Sequence, residues 1–205
     1  MGVYEERILP RMVELTCGGK DMAKFRRRTV EGLSGTIVEV GFGSGLNAPV
    51  YPPEVTEVKA VEPSMLARER SARHTVDTSA RVEFVGLDGA RLPLEDASCD
   101  GALSTFTLCT IPDVHAALAE LHRVVRPGGR FHFLEHGRAP DESVRTWQRR
   151  LEPIQKRVAG GCHLTRDAEA LVSDAGFEIV DLERRYVKGP KPFAYFTLGR
   201  AVRPA

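Results

Sequence analysis

The spacing of hydrophobic and polar positions alternates between helical and extended along the chain. Apolar residues recur at helical spacing over residues 4–33, and Gly18-Gly19 interrupts this pattern, so two N-terminal helices are predicted. The β-branched run over residues 36–40 predicts a buried strand that ends in glycine-rich sequence. Residues 55–61, bounded by prolines, predict a second strand.

Helices and strands continue to alternate beyond residue 61. The predicted elements are a helix from the Ser64 cap to about His74, strands over 81–85 and 101–106, a helix after the Asp113 cap, and a strand over 130–135. Each parallel connection needs a crossover, so this alternation predicts an α/β fold with helices on both faces of a parallel sheet.

The last third of the chain has a different order of elements. Residues 142–158 form a polar predicted helix, and a second helix is predicted over 166–175 with Thr165 as its cap. The two extended runs at 177–187 and 193–202 predict an antiparallel hairpin.

Composition then narrows the class of protein. The 205 residues favour one domain, and 29 basic against 28 acidic residues leave a formal net charge of +1. This charge does not favour nucleic acid or anionic lipid, and no apolar run approaches the roughly 18 residues of a membrane span. The N-terminus lacks the pattern of a signal segment. We expect a cytoplasmic protein without a nucleic-acid partner or stable membrane insertion; the oligomeric state stays open.

Cysteine usage points to free thiols. The chain has no C-x-x-C pair, and its four cysteines are Cys17, Cys99, Cys109 and Cys162. Only Cys162 has a histidine as its neighbour, His163, and two adjacent residues are a poor chelate. No metal is predicted.

The strongest chemical signal is the segment VEVGFGSGLN at residues 38–47. Gly41, Gly43 and Gly45 directly follow the first predicted strand, where glycines let the backbone approach a ligand closely. Leu46 stands where a dinucleotide-binding motif would have its third glycine, so a ligand without a pyrophosphate is favoured.

Two carboxylates follow the next two predicted strands. Glu62 lies 21 residues after Gly41, where one carboxylate can accept hydrogen bonds from both hydroxyls of a ribose. Asp88, after the third strand, can accept a hydrogen bond from an adenine amino group. Together they predict an adenosine-type ligand.

With these motifs, and with Leu92-Pro-Leu94, Asp100 and RVVRPGG at 123–129, residues 30–136 resemble class I S-adenosylmethionine-dependent methyltransferases. The resemblance implies a Rossmann-like, doubly wound, mostly parallel seven-stranded sheet and S-adenosylmethionine (SAM) as cofactor. It also implies that the glycine loop passes under the methionine part. The expected cofactor-binding residues are Glu39, Gly41, Gly43, Gly45, Asn47, Glu62, Pro63, Asp88, Gly89, Ala90 and Thr105.

A narrower resemblance extends over nearly the whole chain. Four segments are similar to the methyltransferase-like 7 group, the alkyl thiol methyltransferases of animals: NAPVYPP at 47–53, LCTI at 108–111, EH at 135–136 and GCHLTR at 161–166. That group has a membrane-anchoring N-terminal segment, whereas this chain starts with a polar predicted helix. The resemblance implies one methyltransferase domain, with a helical cover at 1–34, a cofactor-binding core at 35–136, and acceptor-side helices plus the hairpin at 137–205.

The expected reaction is methyl transfer to a small-molecule acceptor, with a thiol as first choice by resemblance. His136 is the first candidate base and Asp88 the second, although a structural histidine at position 136 is equally compatible with the sequence. The candidates to line the acceptor pocket are Thr105, Leu108, Cys109, His136 and residues 161–163. Two alternatives stay open: a quinone, lipid headgroup or other O, N or C acceptor, and a cofactor-binding protein that catalyses nothing.

Two further patterns have structural interpretations. Arg26-Arg27-Arg28 is interpreted as a solvated helix face. Trp147, with Leu151 and Ile154 at helical spacing, is interpreted as part of the core.

Overall fold

A computed structural model describes residues 9–205, and it shows seven strands in one sheet. The strands are β1 (Gly35–Val40), β2 (Val55–Val61), β3 (Arg81–Gly86), β4 (Cys99–Thr105), β5 (Val125–His136), β6 (Glu178–Tyr186) and β7 (Tyr195–Val202). The helices are α1 (Leu9–Cys17), α2 (Lys20–Val30), α3 (Met65–Thr75), α4 (Val114–Val124), α5 (Glu142–Val158) and α6 (Ala168–Asp174). Residues 4–8 of the first predicted helix lie outside the described part.

The sheet has the order β3-β2-β1-β4-β5-β7-β6. The first five strands are mutually parallel, and β7 runs antiparallel to both β5 and β6. The α/β fold with an antiparallel C-terminal hairpin is therefore confirmed. The strand order reverses between β1 and β4, because β2 and β3 lie on one side of β1 and β4 and β5 on the other. A crevice therefore opens at the carboxyl ends of β1 and β4, where such folds bind ligands.

Side-chain caps begin three of the helices. The Ser64 hydroxyl accepts a hydrogen bond from the Ala67 N–H at 3.2 Å, and the Asp113 carboxylate accepts one from Ala116 at 3.0 Å, as predicted. The cap predicted at Thr165 is wrong. α6 begins at Ala168 with Asp167 as its cap, because the Thr165 hydroxyl is used elsewhere and donates to Glu152 at 2.6 Å.

The core has apolar layers on both sides of the sheet. One contains Phe131 and Phe133 of β5 with Leu118 and Leu121 of α4, and the other includes Ile37 of β1. The core interpretation of Trp147 and Ile154 is wrong, since these residues are 54% and 61% exposed. α5 instead buries Val144 and Gln148, the latter bonded to the Gly137 carbonyl at 2.9 Å. Within residues 9–205 no helix is both long and apolar enough to cross a membrane.

Candidate functional site

A cavity of about 430 Å³ opens at the carboxyl ends of the parallel strands. Its lining comes from the loops after β1, β2, β3 and β4, and from one side of α1. Of the expected cofactor-binding residues, the lining includes Gly41, Gly43, Glu62, Pro63, Asp88, Gly89 and Thr105. The crevice predicted from the motif spacing is thus the place where these residues meet.

The three glycines of the loop have positive φ angles, but each has different surroundings. Gly41 has φ +77°, and a Cβ there would lie 2.0 Å from the Thr107 hydroxyl oxygen. Gly43 has φ +57°, and a Cβ there would have only the Gly41 carbonyl oxygen nearby, at 3.9 Å. Gly45 packs against Ser71 of α3 and the ring of Phe42. The Thr107 side chain therefore leaves no room for a Cβ at Gly41, whereas Gly43 leaves the cavity floor open for a ligand.

Glu62 is held rigidly at the end of β2. One carboxylate oxygen accepts the Gly43 N–H and the other accepts the Ser64 N–H, both at 2.8 Å. The carboxylate is 7% exposed, and this burial raises its pKa despite the two backbone donors. Because each oxygen has more than one acceptor site, both can still accept a hydroxyl from a diol in the cavity. This geometry fits the ribose of an adenosine-type ligand.

A buried polar network lies beneath the glycine loop. The Asn47 amide donates to Glu39 at 2.8 Å and to the Thr105 hydroxyl at 3.0 Å, and the Tyr51 hydroxyl also donates to Glu39. Burial raises the pKa of Glu39 to about 7, and the donors from Tyr51 and Asn47 oppose that shift. Glu39 and Asn47 therefore support the loop from below, while Thr105 also reaches the cavity.

Arg26 belongs to this network, so its interpretation as a solvated residue is wrong. Its side chain lines the cavity at 5% exposure and donates to Asn47 at 2.9 Å and to Thr105 at 2.7 Å. Arg27 and Arg28 are exposed, as predicted. A run of three arginines does not show which one turns inward, since this depends on how α2 docks on the sheet.

Asp88 lies in a tight turn two residues after the end of β3. Its carboxylate accepts the Ala90 N–H at 2.9 Å, and Leu87 beside it is 57% exposed at the rim of the cavity. Asp88 and Gly89 line the cavity. Ala90 does not line it, and its N–H donates to Asp88 within the turn. An acceptor carboxylate beside an apolar rim suits an adenine with its amino group.

The two candidate bases lie at separate parts of the sheet. Asp88 follows β3 and His136 ends β5, and three strands stand between them. At about 4.8 Å per strand, their backbones are roughly 19 Å apart, so they cannot serve the same proton directly.

His136 belongs to a cluster of sulfur and nitrogen atoms. Its Nε2 lies 3.0 Å from the Cys162 sulfur, and these two atoms and the Cys109 sulfur all lie within 4.8 Å of one another. The hydrogen bond from Cys109 lowers the pKa of Cys162, with His136 adding to the effect and burial opposing it. Burial acts to lower the pKa of His136, but its contact with Cys162 outweighs this and raises it.

Of the residues predicted to line the acceptor pocket, Thr105 lines the cavity, whereas Leu108, Cys109, His136 and residues 161–163 do not, because they pack beyond the lining residues. Leu108 is buried, and its N–H donates to Glu135 at 3.0 Å. His163 donates its backbone N–H to the Cys109 carbonyl at 2.8 Å, and its ring lies 3.4 Å from the Glu152 carboxylate. Sequence spacing could not bring Cys109 and Cys162 together, because 52 residues separate them along the chain.

Comparison with known proteins agrees with this site. A family described as "Methyltransferase domain" matches residues 38–133. The thiol S-methyltransferase TMT1B of Rattus norvegicus is 32% identical over 170 residues, which cover 80% of this chain and 67% of that protein. A phosphatidylethanolamine N-methyltransferase of Cereibacter sphaeroides is 27% identical over 168 residues, covering 80% of this chain and 81% of that protein.

Solved structures show the same fold. A SAM-dependent methyltransferase of Thermotoga maritima superimposes with a TM-score of 0.67 at 22% identity, covering 97% of each chain. The sheet order, the glycine loop after β1 and the carboxylate after β2 define a SAM-dependent methyltransferase. Within that class, the chain belongs to the family of the thiol S-methyltransferases, as its similarity to TMT1B over most of both chains shows.

Proposed function

We propose that the protein transfers the methyl group of SAM to the sulfur of a small apolar thiol. The observation that supports this most is that the cavity continues from Glu62 to an apolar end. That end is lined by Leu9 and Val13 of α1 and by Ile111 and Pro112 of the loop after β4. An apolar end beside a polar cofactor region suits a small alkyl acceptor.

The cavity fits the cofactor by two features of this chain. Glu62 lines the cavity, and two backbone N–H groups hold its two carboxylate oxygens in place. Gly43 leaves open the space that a side chain would fill. When bound, SAM supplies an electrophilic methyl group on a sulfonium.

The residues of the chain then align the acceptor and exclude water. The thiolate sulfur must approach the methyl carbon in line with the bond that breaks, so orientation is the main catalytic contribution. The bond from sulfonium sulfur to methyl carbon breaks as the bond from thiolate sulfur to carbon forms, and the thiol proton goes to solvent. Leu9, Val13 and Cys17 of α1 line the outer wall, which limits water at the reacting atoms.

A second acceptor class follows from one relative. The Cereibacter protein is named as a phosphatidylethanolamine N-methyltransferase, and it matches as much of this chain as the rat thiol methyltransferase does. A lipid amine is therefore the alternative acceptor.

Matched acceptors separate these two functions. Transfer of labelled methyl from SAM would be measured with an alkanethiol, the alkanol and alkylamine of equal chain length, and phosphatidylethanolamine vesicles. We expect turnover on the thiol alone, because near neutral pH only the thiol is present in part as an anionic nucleophile, whereas the alkanol is neutral and the alkylamine is protonated. Turnover on the amine or the vesicles without turnover on the thiol would refute the proposal.

A cavity variant supplies the control for acceptor position. Ile111→Trp fills the apolar end, and we expect it to abolish thiol turnover while the melting temperature still rises with S-adenosylhomocysteine. Val180→Trp changes an exposed residue of β6 remote from the cavity and should leave turnover unchanged. Equal turnover by the Ile111 variant and the wild type would show that the acceptor binds elsewhere.

A further inference from the structure

Three metal-ligating side chains converge close to residues that line the cavity, although none of the three lines it itself. Cys109 comes from the loop after β4, His136 from the end of β5, and Cys162 from the segment after α5. Both cysteines are buried, at 2% and 3% exposure. We propose that this cluster binds Zn²⁺, and that the acceptor thiol occupies the fourth position of the ion.

The distances in the cluster are close to those of a zinc site. Zinc binds thiolates at about 2.3 Å and imidazole at about 2.0–2.1 Å, so neighbouring ligand atoms of a tetrahedron lie roughly 3.5–3.8 Å apart. Here all three atoms lie within 4.8 Å of one another, and the Cys162 sulfur and His136 Nε2 are 3.0 Å apart. Side-chain adjustments of about half an ångström to one ångström would produce the tetrahedral arrangement.

The ligand set selects the type of ion. Two thiolates and one imidazole favour zinc over the hard cations Mg²⁺ and Ca²⁺, which prefer oxygen ligands. Three protein ligands leave the fourth tetrahedral position open, as in catalytic rather than structural zinc sites.

The loop that holds Cys109 is fixed from both sides. One Glu135 oxygen accepts the N–H groups of Thr107 and Leu108, each at 3.0 Å. The Arg166 guanidinium donates to the carbonyls of Leu108 and Ile111. Glu135 adjoins His136 in sequence, and Arg166 follows Cys162 by four residues. The ligands are therefore attached to one connected frame, as a metal site requires.

The cluster also has an outer donor and a route to the cavity. The Gln155 amide donates to the Cys162 sulfur at 3.6 Å, the kind of outer hydrogen bond that orients a thiolate ligand. Thr110, next to Cys109, and Gly160, two residues before Cys162, both line the cavity. A ligand entering the apolar end thus comes close to the cluster.

The role of the fourth coordination position of the zinc ion rests on the proposed thiol methylation. A thiol that binds zinc loses its proton to solvent and is held as thiolate. The thiolate sulfur then forms its bond to the methyl carbon as the sulfonium sulfur–carbon bond breaks, and the neutral thioether product leaves the ion. Zinc would raise the fraction of reactive thiolate and fix its position.

Metal content tests the site without relying on activity. The 205-residue chain, expressed in zinc-supplemented medium and dialysed, would be analysed for zinc by mass spectrometry, together with Cys109→Ser/Cys162→Ser and the control Cys99→Ser. Cys99 is an equally buried cysteine outside the cluster. We expect about one zinc per chain in the wild type and the control, and at least a tenfold loss in the double variant. Less than 0.1 zinc per wild-type chain, or equal zinc in the double variant, would overturn the proposal.

Cobalt substitution tests the fourth position. Co²⁺ in the apoprotein should give thiolate-to-metal charge-transfer absorbance, which falls by about half in each single cysteine variant and rises by about half when an alkanethiol is added without SAM. The alkanol of equal length should change nothing. Absorbance that does not respond to the thiol would overturn its binding to the ion.

Two further measurements distinguish failure of the zinc proposal from failure of the proposed function. The melting-temperature shift with S-adenosylhomocysteine should persist in the double variant, which shows that it folds and binds cofactor. Thiol methylation by that variant at the wild-type rate would overturn the role of zinc while the proposed function stands. Zinc binding in a wild-type protein that methylates no thiol would instead refute the proposed function.

Discussion

The pair Gly41 and Gly43 allows one prediction to be worked out in detail. Both residues have positive φ angles and both line the cavity, yet only Gly41 is enclosed by other atoms. Replacing each with alanine therefore adds the same methyl group to the same type of backbone conformation in two different surroundings.

The expected costs follow from those surroundings. An L-residue in the left-handed region costs about 1–2 kcal/mol, and this applies to both variants. At Gly41 the new Cβ would also lie 2.3 Å from the Thr107 methyl and 2.6 Å from its Cβ. Overpacking of this kind costs about 1–3 kcal/mol. We expect Gly41→Ala to lower the free energy of unfolding by about 2–5 kcal/mol and Gly43→Ala by about 1–2 kcal/mol.

Equilibrium unfolding in urea measures both values, and a double-mutant cycle isolates the steric part. Thr107→Gly removes the atoms that the new methyl group meets, so Gly41→Ala should cost about 1–3 kcal/mol less in that background. Gly43→Ala should not couple to Thr107. Equal destabilisation by the two alanine variants, or no coupling to Thr107, would refute the steric reasoning.

The affinity for S-adenosylhomocysteine should distinguish the same two variants in the opposite order, with the larger loss in Gly43→Ala. The Cβ of Gly43→Ala projects into the open cavity floor, so the affinity for S-adenosylhomocysteine should fall at least tenfold in isothermal titration calorimetry although the fold is retained. An unchanged affinity would place the ligand away from this loop.

Three further predictions concern buried polar side chains. Glu62→Gln replaces one acceptor oxygen with an NH₂ donor, so affinity for S-adenosylhomocysteine should fall about 10- to 100-fold by calorimetry, whereas exposed Glu69→Gln should change nothing. Arg26→Met removes two buried hydrogen bonds and should lower the free energy of unfolding in urea by about 1.5–3 kcal/mol, against less than about 0.5 kcal/mol for exposed Arg27→Met. Burial lowers the pKa of His132 from 6.5 to about 4, so the unfolded chain binds more protons between these pH values. The resulting stabilisation, about 3 kcal/mol, is present above pH 6.5 and is lost as the pH falls toward 4, and His132→Asn should flatten that slope in urea titrations.

Each of these predictions has a contradicting result. Equal cofactor affinity in the Glu62 variant and the wild type would refute the role of Glu62 in binding the ribose. A loss no larger for Arg26 than for Arg27 would mean that the network beneath the loop adds no stability. An unchanged pH slope in the His132 variant would assign the acid sensitivity to other groups.

Much of the fold could be predicted because its causes are local. The residue pattern predicted β2 and α5 with the bounds that the structure has. The misplaced cap of α6 shows the limit of local signals. Thr165 and Asp167 are both good caps, and only the contact of Thr165 with Glu152 decides between them.

The sequence predicted the site residues that directly follow strand ends. It could not predict the site residues whose position depends on how a helix packs on the sheet. Gly41, Gly43 and Glu62 lie at the carboxyl ends of adjacent parallel strands, so their meeting follows from the α/β alternation. Arg26 could not be distinguished from Arg27 by composition, because the rotation of α2 on the sheet decides which side chain is buried.

The sequence by itself determined the alternation of helices and strands, the glycine loop with its ribose carboxylate, and the resemblance to a methyltransferase family. These follow from short-range periodicity and from residues that lie close together along the chain. Only the tertiary structure decided that Arg26 lies under the loop and that Cys109, His136 and Cys162 share one cluster. The physical reason is that the cluster joins three segments far apart in sequence, which meet only after the sheet, α5 and the loop after β4 have packed together.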